Sequence, residues 1–200
     1  MYSQNFEEAI VKKYFVNETG TLLDIGANDG KTLSNSLALI EAGWNAVLIE
    51  PCEHPYEKLC DLHTGNEKVY CYNIALDTED GEKEINSMGD HLGTGDTDLL
   101  STLKKPIEKW AAIEFHPEKV ICRTLESFLK FCPIKKFDFI TIDAEELDYD
   151  ILIQMDLQQL GCRCVCIEHN GNSIGKFILY AQKFKMKEIY RNAENIIFVL

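Results

Sequence analysis

The chain is short of positive charge. Its 200 residues hold 20 Lys and Arg against 33 Asp and Glu, a formal net charge of −13. Phosphate contacts supply most non-specific affinity for nucleic acid, so this balance excludes nucleic acid as an expected partner. Long apolar runs are missing too. None approaches the ~18 residues of a membrane span, so no membrane span is expected. Residues 1–21 lack a basic start followed by an apolar core, so no secretory leader is read there. Eight cysteines stand at 52, 60, 71, 122, 132, 162, 164 and 166, yet no C-x-x-C occurs and no His lies at zinc-finger spacing. They read as reduced, small buried residues in a reducing compartment, which gives a cytoplasmic expectation. Cys162, Cys164 and Cys166 alternate, which places them on one face of a strand.

What is present is a regular alternation of strand and helix signals. With 46% hydrophobic and 26% charged residues, the composition fits one globular domain over 1–200. Its centre is TLLDIGANDGKTLSNSLALIEAGWNAVLIEP, residues 21–51. An apolar run (Leu22, Leu23, Ile25) stops at a Gly-rich turn, Gly26-Ala27-Asn28-Asp29-Gly30. A helical pattern through Leu33, Leu37 and Ile40 follows, and a second apolar run, residues 46–49, meets Glu50. This predicts a βαβ unit with a ligand loop at its first turn. If the turn opens a helix, its free N–H groups face the ligand.

Three ligand classes compete for such a turn. A dinucleotide needs G-x-G-x-x-G, but positions 28 and 31 are Asn and Lys. A P-loop needs four residues between its glycines, whereas Gly26 and Gly30 enclose three; Asp24 and Asp29 would also oppose phosphate. S-adenosylmethionine has no phosphate and carries a sulfonium and an ammonium, so it tolerates acidic neighbours. A carboxylate ending the next strand, about 20 residues on, suits its ribose. Glu50 stands 50 − 30 = 20 residues after Gly30.

Around this centre, residues 4–16 predict a leading helix within segment 1–20, with Phe6, Ile10 and Tyr14 on one face. Residues 54–63 predict a helix, and residues 68–76 (KVYCYNIAL) a third strand. Residues 83–86 and 118–123 predict short strands, residues 125–131 a helix. Residues 137–142 (FDFITI) form a buried strand ending in Asp143, residues 147–160 a helix closed by Gly161, and residues 165–167 a strand ending in Glu168-His169-Asn170. Residues 175–184 predict a helix, and a hairpin around residues 192–195 closes the chain. Between them, residues 87–117 interrupt the alternation with a Gly- and Asp-rich stretch and a short helix near 107–113. An inserted segment of this length is either a substrate lid or a plain surface loop. Asp96-Thr97-Asp98 lacks the remaining oxygen positions of a calcium loop. The sum is an α/β, Rossmann-like three-layer sandwich, with a mostly parallel seven-stranded sheet and an antiparallel C-terminal edge hairpin.

Three stretches resemble class I S-adenosylmethionine-dependent methyltransferases of the FkbM type. Residues 24–30 (DIGANDG) match that family's glycine loop. Residues 73–77 (NIALD) with Gly81 match its third-strand segment. Residues 137–145 (FDFITIDAE) resemble its fourth-strand signature, D-F-x-K-I-D-V-E-G-x-E, and Arg123-Thr124-Leu125 also fits. The likeness spans about residues 20–160. Three positions depart from the signature: its Lys is Thr141, its Gly is Glu146 and its last Glu is Asp148.

The resemblance implies a cofactor site of Asp24, Gly26, Ala27, Asn28, Asp29, Gly30, Glu50, Pro51, Asn73, Ile74, Ala75 and Asp143. In it the glycine loop lies under the methionine moiety, Asp24 is near the ammonium and Glu50 takes the ribose hydroxyls. Asn73 and the Ile74 N–H meet the adenine edge. The family mostly methylates oxygen atoms of small molecules or sugars, and the [DN]-P-P-[YF] motif of amino-methyltransferases is absent after the fourth strand. The expected function is therefore O-methylation of a small molecule or glycan. Asp143, Glu145 and His169 are the candidate catalytic groups. Asp143, Glu168 and Asn170 are weak candidates for a site holding Mg²⁺. A non-catalytic binding module on the same fold and a P-loop-like nucleotide hydrolase are the rival readings.

Overall fold

The computed structural model describes residues 1–87, 101–103, 116–171 and 173–200. Most of the interruption expected at 87–117, including the Asp96-Thr97-Asp98 run and the short helix near 107–113, lies outside the described residues.

A seven-stranded sheet forms the frame. Its strands are β1 (Thr21–Ile25), β2 (Asn45–Ile49), β3 (Val69–Tyr72), β7 (Phe139–Ile142), β8 (Cys164–Glu168), β9 (Lys187–Arg191) and β10 (Asn195–Val199), in the order β3-β2-β1-β7-β8-β10-β9. From β3 to β8 every pairing is parallel; β10 runs antiparallel to both β8 and β9. The strands are apolar on both faces because both are covered. Leu23, Ile25, Ile140, Ile142, Val165 and Ile167 face one layer with Phe128 and Phe177. Leu22, Leu48, Phe139, Cys164 and Cys166 face the other with Val11, Phe15 and Trp44. Cys164 and Cys166 share a face as the alternation requires, but Cys162 precedes the strand and joins the opposite layer.

The helices are α1 (Glu7–Tyr14), α2 (Leu37–Glu41), α3 (Glu53–Leu62), α4 (Leu125–Phe131), α5 (Asp148–Leu152) and α6 (Ile174–Lys183). In three places they differ from the sequence expectation. First, α1 buries Val11 and Phe15 and leaves Phe6 62% exposed. Its orientation is set by Glu7, a buried carboxylate whose Oε1 accepts bonds from the side-chain amides of Asn192 (2.6 Å) and Asn195 (3.2 Å) in the terminal hairpin. Second, α2 starts four residues after Leu33, the first residue of the apolar pattern, since Leu33 stands at φ 55° and the Ser34 hydroxyl caps Leu37. Third, α5 covers only the first part of residues 147–160. Gln154 folds back to bond Leu125, Asp77 and Asp150, and the Tyr180 hydroxyl donates to the carbonyls of Ile153 and Met155, so side chains replace the helical ladder.

The expected third strand is broken as well. After β3 the chain leaves the sheet at Asn73 and Ile74. It then pairs as β4 (Ala75–Leu76) in a three-stranded sheet, order β4-β6-β5, with β5 (Gly81–Ser87) and β6 (His116–Arg123). This small sheet lies beyond the carboxyl end of β3 and supplies one wall of the site. Among the described residues, no helix is long and apolar enough to cross a membrane.

Candidate active site

The strand order reverses at β1, which lies between β2 and β7, and ligands of such sheets bind beyond the carboxyl ends at the reversal. A cavity of about 330 Å³ opens there. Asp24, Gly26, Ala27, Asn28, Glu50 and Pro51 line one side, Asp143, Glu145 and Glu168 the other, and Ile74, Leu76, Ile85 and Leu103 form an apolar wall.

The glycine loop is a closed hydrogen-bonded unit. Gly26 and Ala27 donate to the Ile49 carbonyl, Asn28 to Glu50 Oε2, Asp29 to Asn28 Oδ1 and Gly30 to the Ala27 carbonyl; Lys31 and Thr32 donate to Asp29 Oδ1. Every N–H from Gly26 to Thr32 is thus taken internally. The expectation of free N–H groups at a helix start fails, because Asp29 captures the donors and no helix begins there. The same accounting removes the P-loop reading, which needs those groups turned toward phosphate.

Gly26 has φ 83°, and a Cβ on it would sit 1.7 Å from the Asp143 carbonyl oxygen, so glycine is required where the loop crosses the end of β7. Asn28 takes φ 49° without glycine, as Asn tolerates. Asp29 and Gly30 do not line the cavity. Asp29 caps the turn, and Gly30 packs against Leu59 and Leu62 of α3.

Glu50 is 6% exposed, which rules out a solvent-facing strand end. Its Oε1 accepts the Cys52 N–H at 2.8 Å and its Oε2 the Asn28 N–H at 2.9 Å. The carboxylate also lines the cavity, within reach of a ligand there. Asn73 does not line the cavity. Its amide donates to the carbonyls of Glu50 (3.1 Å) and Pro51 (2.8 Å), fixing the point where the chain leaves the main sheet. Ile74 and Ala75 do line it.

Carboxylates crowd the far side. One oxygen each from Asp143, Glu145 and Glu168 lie within 4.8 Å of one another. Asp143 and Glu168 thus lie close enough for each to shift the other's titration. Burial, reinforced by the charge of Asp143, pushes Glu168 well above the usual carboxylate range. Enclosure by the cavity walls raises Asp143, with the charge of Asp24 adding to it, although cavity solvent reaches the side chain. Burial raises Asp24 to about 6, against the lowering effect of its bond from the Ser36 hydroxyl. Asp148 is raised to about 7 by burial and then by Asp143. It accepts the N–H groups of Ala144 (2.8 Å) and Glu146 (3.1 Å), which holds a turn with Glu145 at φ 43° and Glu146 at φ 78°.

His169 and Asn170 face elsewhere. With Tyr149, Lys176 and Glu168 they line a separate cavity of about 20 Å³. His169 Nδ1 accepts the Gly171 N–H at 2.9 Å, and burial holds the ring below the ordinary imidazole range. A neutral ring with Nδ1 accepting carries its proton on Nε2, so neither nitrogen is open to act as a base. Asn170 likewise lines the small cavity and not the main one, and the third carboxylate grouped with Asp143 and Glu168 is Glu145.

Several cavity residues carried no sequence signal. Asn35 sits in what reads as an amphipathic helix, yet its amide lies 3.5 Å from the Thr141 hydroxyl and its Oδ1 is buried without a partner. Ser101, whose hydroxyl is also buried without a partner, and Leu103 come from the interrupting segment. Thr102 ties that segment to the site by donating to the Glu145 carbonyl at 2.9 Å.

The model of the methyltransferase FkbM domain matches residues 24–190. No curated protein sequence matches the chain. Among solved structures, the ribosomal protein L11 methylase of Lactobacillus delbrueckii subsp. bulgaricus is similar at a TM-score of 0.51 and 10% identity, over 96% of this chain and 74% of that one. A putative tRNA (m1A22) methyltransferase of Streptococcus pneumoniae gives 0.51 and 16%, over 100% and 70%. TrmK of M. capricolum, solved with S-adenosyl-homocysteine, gives 0.50 and 14%, over 98% and 67%. These identities carry the fold, and the family match carries the lineage: the chain belongs to the FkbM-type family of class I S-adenosylmethionine-dependent methyltransferases.

Proposed function

We propose that this chain methylates a hydroxyl oxygen of a small molecule or glycan. The observation that carries the reading is the grouping of Asp143, Glu145 and Glu168 oxygens within 4.8 Å on the cavity wall at the ends of β7 and β8, which offers carboxylates to receive a hydroxyl proton.

The cavity fits S-adenosylmethionine in its chemistry. Asp24 is a buried carboxylate paired only with a serine hydroxyl in the described bonds, and it suits a cationic ligand group. Glu50 presents a buried carboxylate to the cavity, which suits ligand hydroxyls. The orphaned Asn35 Oδ1 suits an N–H donor, and the apolar wall of Ile74, Leu76, Ile85 and Leu103 suits a flat ring. When bound, the cofactor supplies an electrophilic methyl carbon on a cationic sulfur. The chain's own residues orient the acceptor and take its proton, and the small β4-β6-β5 sheet with residues 101–103 narrows access for water.

Two solved neighbours are named for tRNA and ribosomal-protein methylation, but the present site does not favour polyanions. Five carboxylates line the cavity and no Lys or Arg does among the described residues. Repulsion of phosphate follows, and a small acceptor fits better. The eight free cysteines, mostly buried, support a reducing compartment such as the cytoplasm.

Mg²⁺ on Asp143, Glu145 and Glu168 is the second reading, favoured by the 4.8 Å grouping. Methyl transfer from labelled cofactor to a panel of hydroxyl compounds, before and after EDTA, separates the two. Transfer that survives EDTA and collapses in Asp143→Asn supports the metal-free carboxylates. Loss with EDTA and rescue by Mg²⁺ selects the metal. Tight cofactor binding with no transfer to any acceptor selects the non-catalytic module.

A further inference from the structure

We infer that the acceptor carries a protonated amine beside its hydroxyl, seated against Asp143, Glu145 and Glu168. This deepens the O-methylation reading and rests on it. The three carboxylates come from two strand ends, yet bring one oxygen each within 4.8 Å of the others. Glu168 supplies the independent sign of a missing ligand. It is 8% exposed, and its Oε2 is buried without a hydrogen-bond partner. A buried carboxylate oxygen left without a donor is costly, so the fold retains it most economically if the ligand brings the donor.

The shape fits an ammonium. Its three N–H groups point to the corners of a tetrahedron, and at N···O distances of about 2.9 Å their acceptors stand about 4.7 Å apart. That spacing lies inside the observed grouping. The charge also fits. Asp24 and Glu50 stand at the ends of β1 and β2, on the cofactor side, which leaves the carboxylates beyond β7 and β8 for the acceptor.

The test uses the protein saturated with S-adenosyl-homocysteine and kept in EDTA. Matched sets of small hydroxyl compounds are titrated by calorimetry: amino alcohols and amino sugars, their N-acetyl forms and their neutral parents. The expected result is binding of amine forms at least about tenfold tighter than their N-acetyl partners, with that preference cut to within about threefold in Glu145→Gln and in Glu168→Gln. Equal binding of amine and N-acetyl forms, or no amine binding up to about 10 mM, overturns the inference. So does a rise in melting temperature with Mg²⁺ alone that Glu145→Gln abolishes, which gives the site to a metal. S-adenosyl-homocysteine binding is measured separately. Its loss in the parent protein strikes the methyltransferase reading, whereas intact binding without amine preference strikes this inference alone.

Discussion

Replacing Glu50 tests the cofactor side most sharply, because the structure shows two jobs for one carboxylate. It holds the glycine loop through the Asn28 and Cys52 N–H groups, at 2.9 and 2.8 Å, and it faces the cavity. Glu50→Ala orphans both donors, at roughly 1–3 kcal/mol each, so a loss of about 2–6 kcal/mol in folding stability is expected. Charge-assisted bonds to two ribose hydroxyls add a separate cost of roughly 1.5–3 kcal/mol in cofactor binding, about tenfold to a hundredfold in affinity. Glu50→Gln gives a cleaner comparison. It keeps the side-chain length and one acceptor, so its stability loss should be the smaller of the two while most of the affinity loss remains. Calorimetric titration of both variants with S-adenosyl-homocysteine, beside its 2′,3′-dideoxy analogue, isolates the hydroxyl contribution. The parent should bind the dideoxy compound more weakly, and Glu50→Gln should bind it as the parent does. Unchanged affinity of Glu50→Gln for S-adenosyl-homocysteine would refute the ribose assignment and leave Glu50 as a loop clamp alone.

Four further outcomes are expected. Gly26→Ala places a Cβ 1.7 Å from the Asp143 carbonyl at φ 83°, so it should cost ~3 kcal/mol or more in urea unfolding, or fail to fold. Glu146→Gly relieves a left-handed residue at φ 78° worth about 1–2 kcal/mol, partly offset by unfolded-chain entropy; a gain of about 0.5–1 kcal/mol in the same assay is expected. Asp24 and Asp148, raised to about 6 and about 7 from 3.8, bind protons in the fold that the unfolded chain has released. Stability should therefore fall as pH rises from about 4 to 7, a melting-temperature slope that saturating S-adenosyl-homocysteine should flatten if its ammonium sits at Asp24. Nitrogen NMR should find His169 neutral with its proton on Nε2 at about pH 7–8, above the ordinary imidazole midpoint; an Nδ1 proton would reopen it as a base.

Much of the sheet was legible in the sequence because burial on both faces writes itself as unbroken apolar runs. Residues 22–25, 46–49 and 139–142 need no partner to be recognised, and strand alternation with helices fixes their parallel pairing. Helix extents were less legible. The apolar spacing after Gly30 is real, but Asp29 seizes the N–H groups that a helix start would need, and no periodicity reports that competition. Leu147, Ile151, Met155, Leu157 and Leu160 are all buried as helical spacing suggests, yet the chain beyond α5 turns rather than spirals. Apolar periodicity records which side chains are inside, not how their backbone is bonded.

The site divides along the same line. Asp24, Glu50 and Asp143 were legible because each ends a strand, and a strand end has one place to point in a parallel sheet. Residues reached through loop geometry were not. Asn73 has the position of a ligand group but spends its amide on two backbone carbonyls, and His169 sits beside Glu168 in sequence yet faces another cavity. Glu168 alone of the two reaches the main cavity, so adjacency in sequence did not give His169 a place there. Asn35 and Ser101 arrive from segments whose path depends on the capped glycine loop and on the bond from Thr102 to Glu145. On the proposed reading, the cofactor half of this site is set by strand order and the acceptor half by irregular backbone, and acceptor choice is then expected to respond to changes in residues 101–103 and 143–148 more than to changes in the glycine loop.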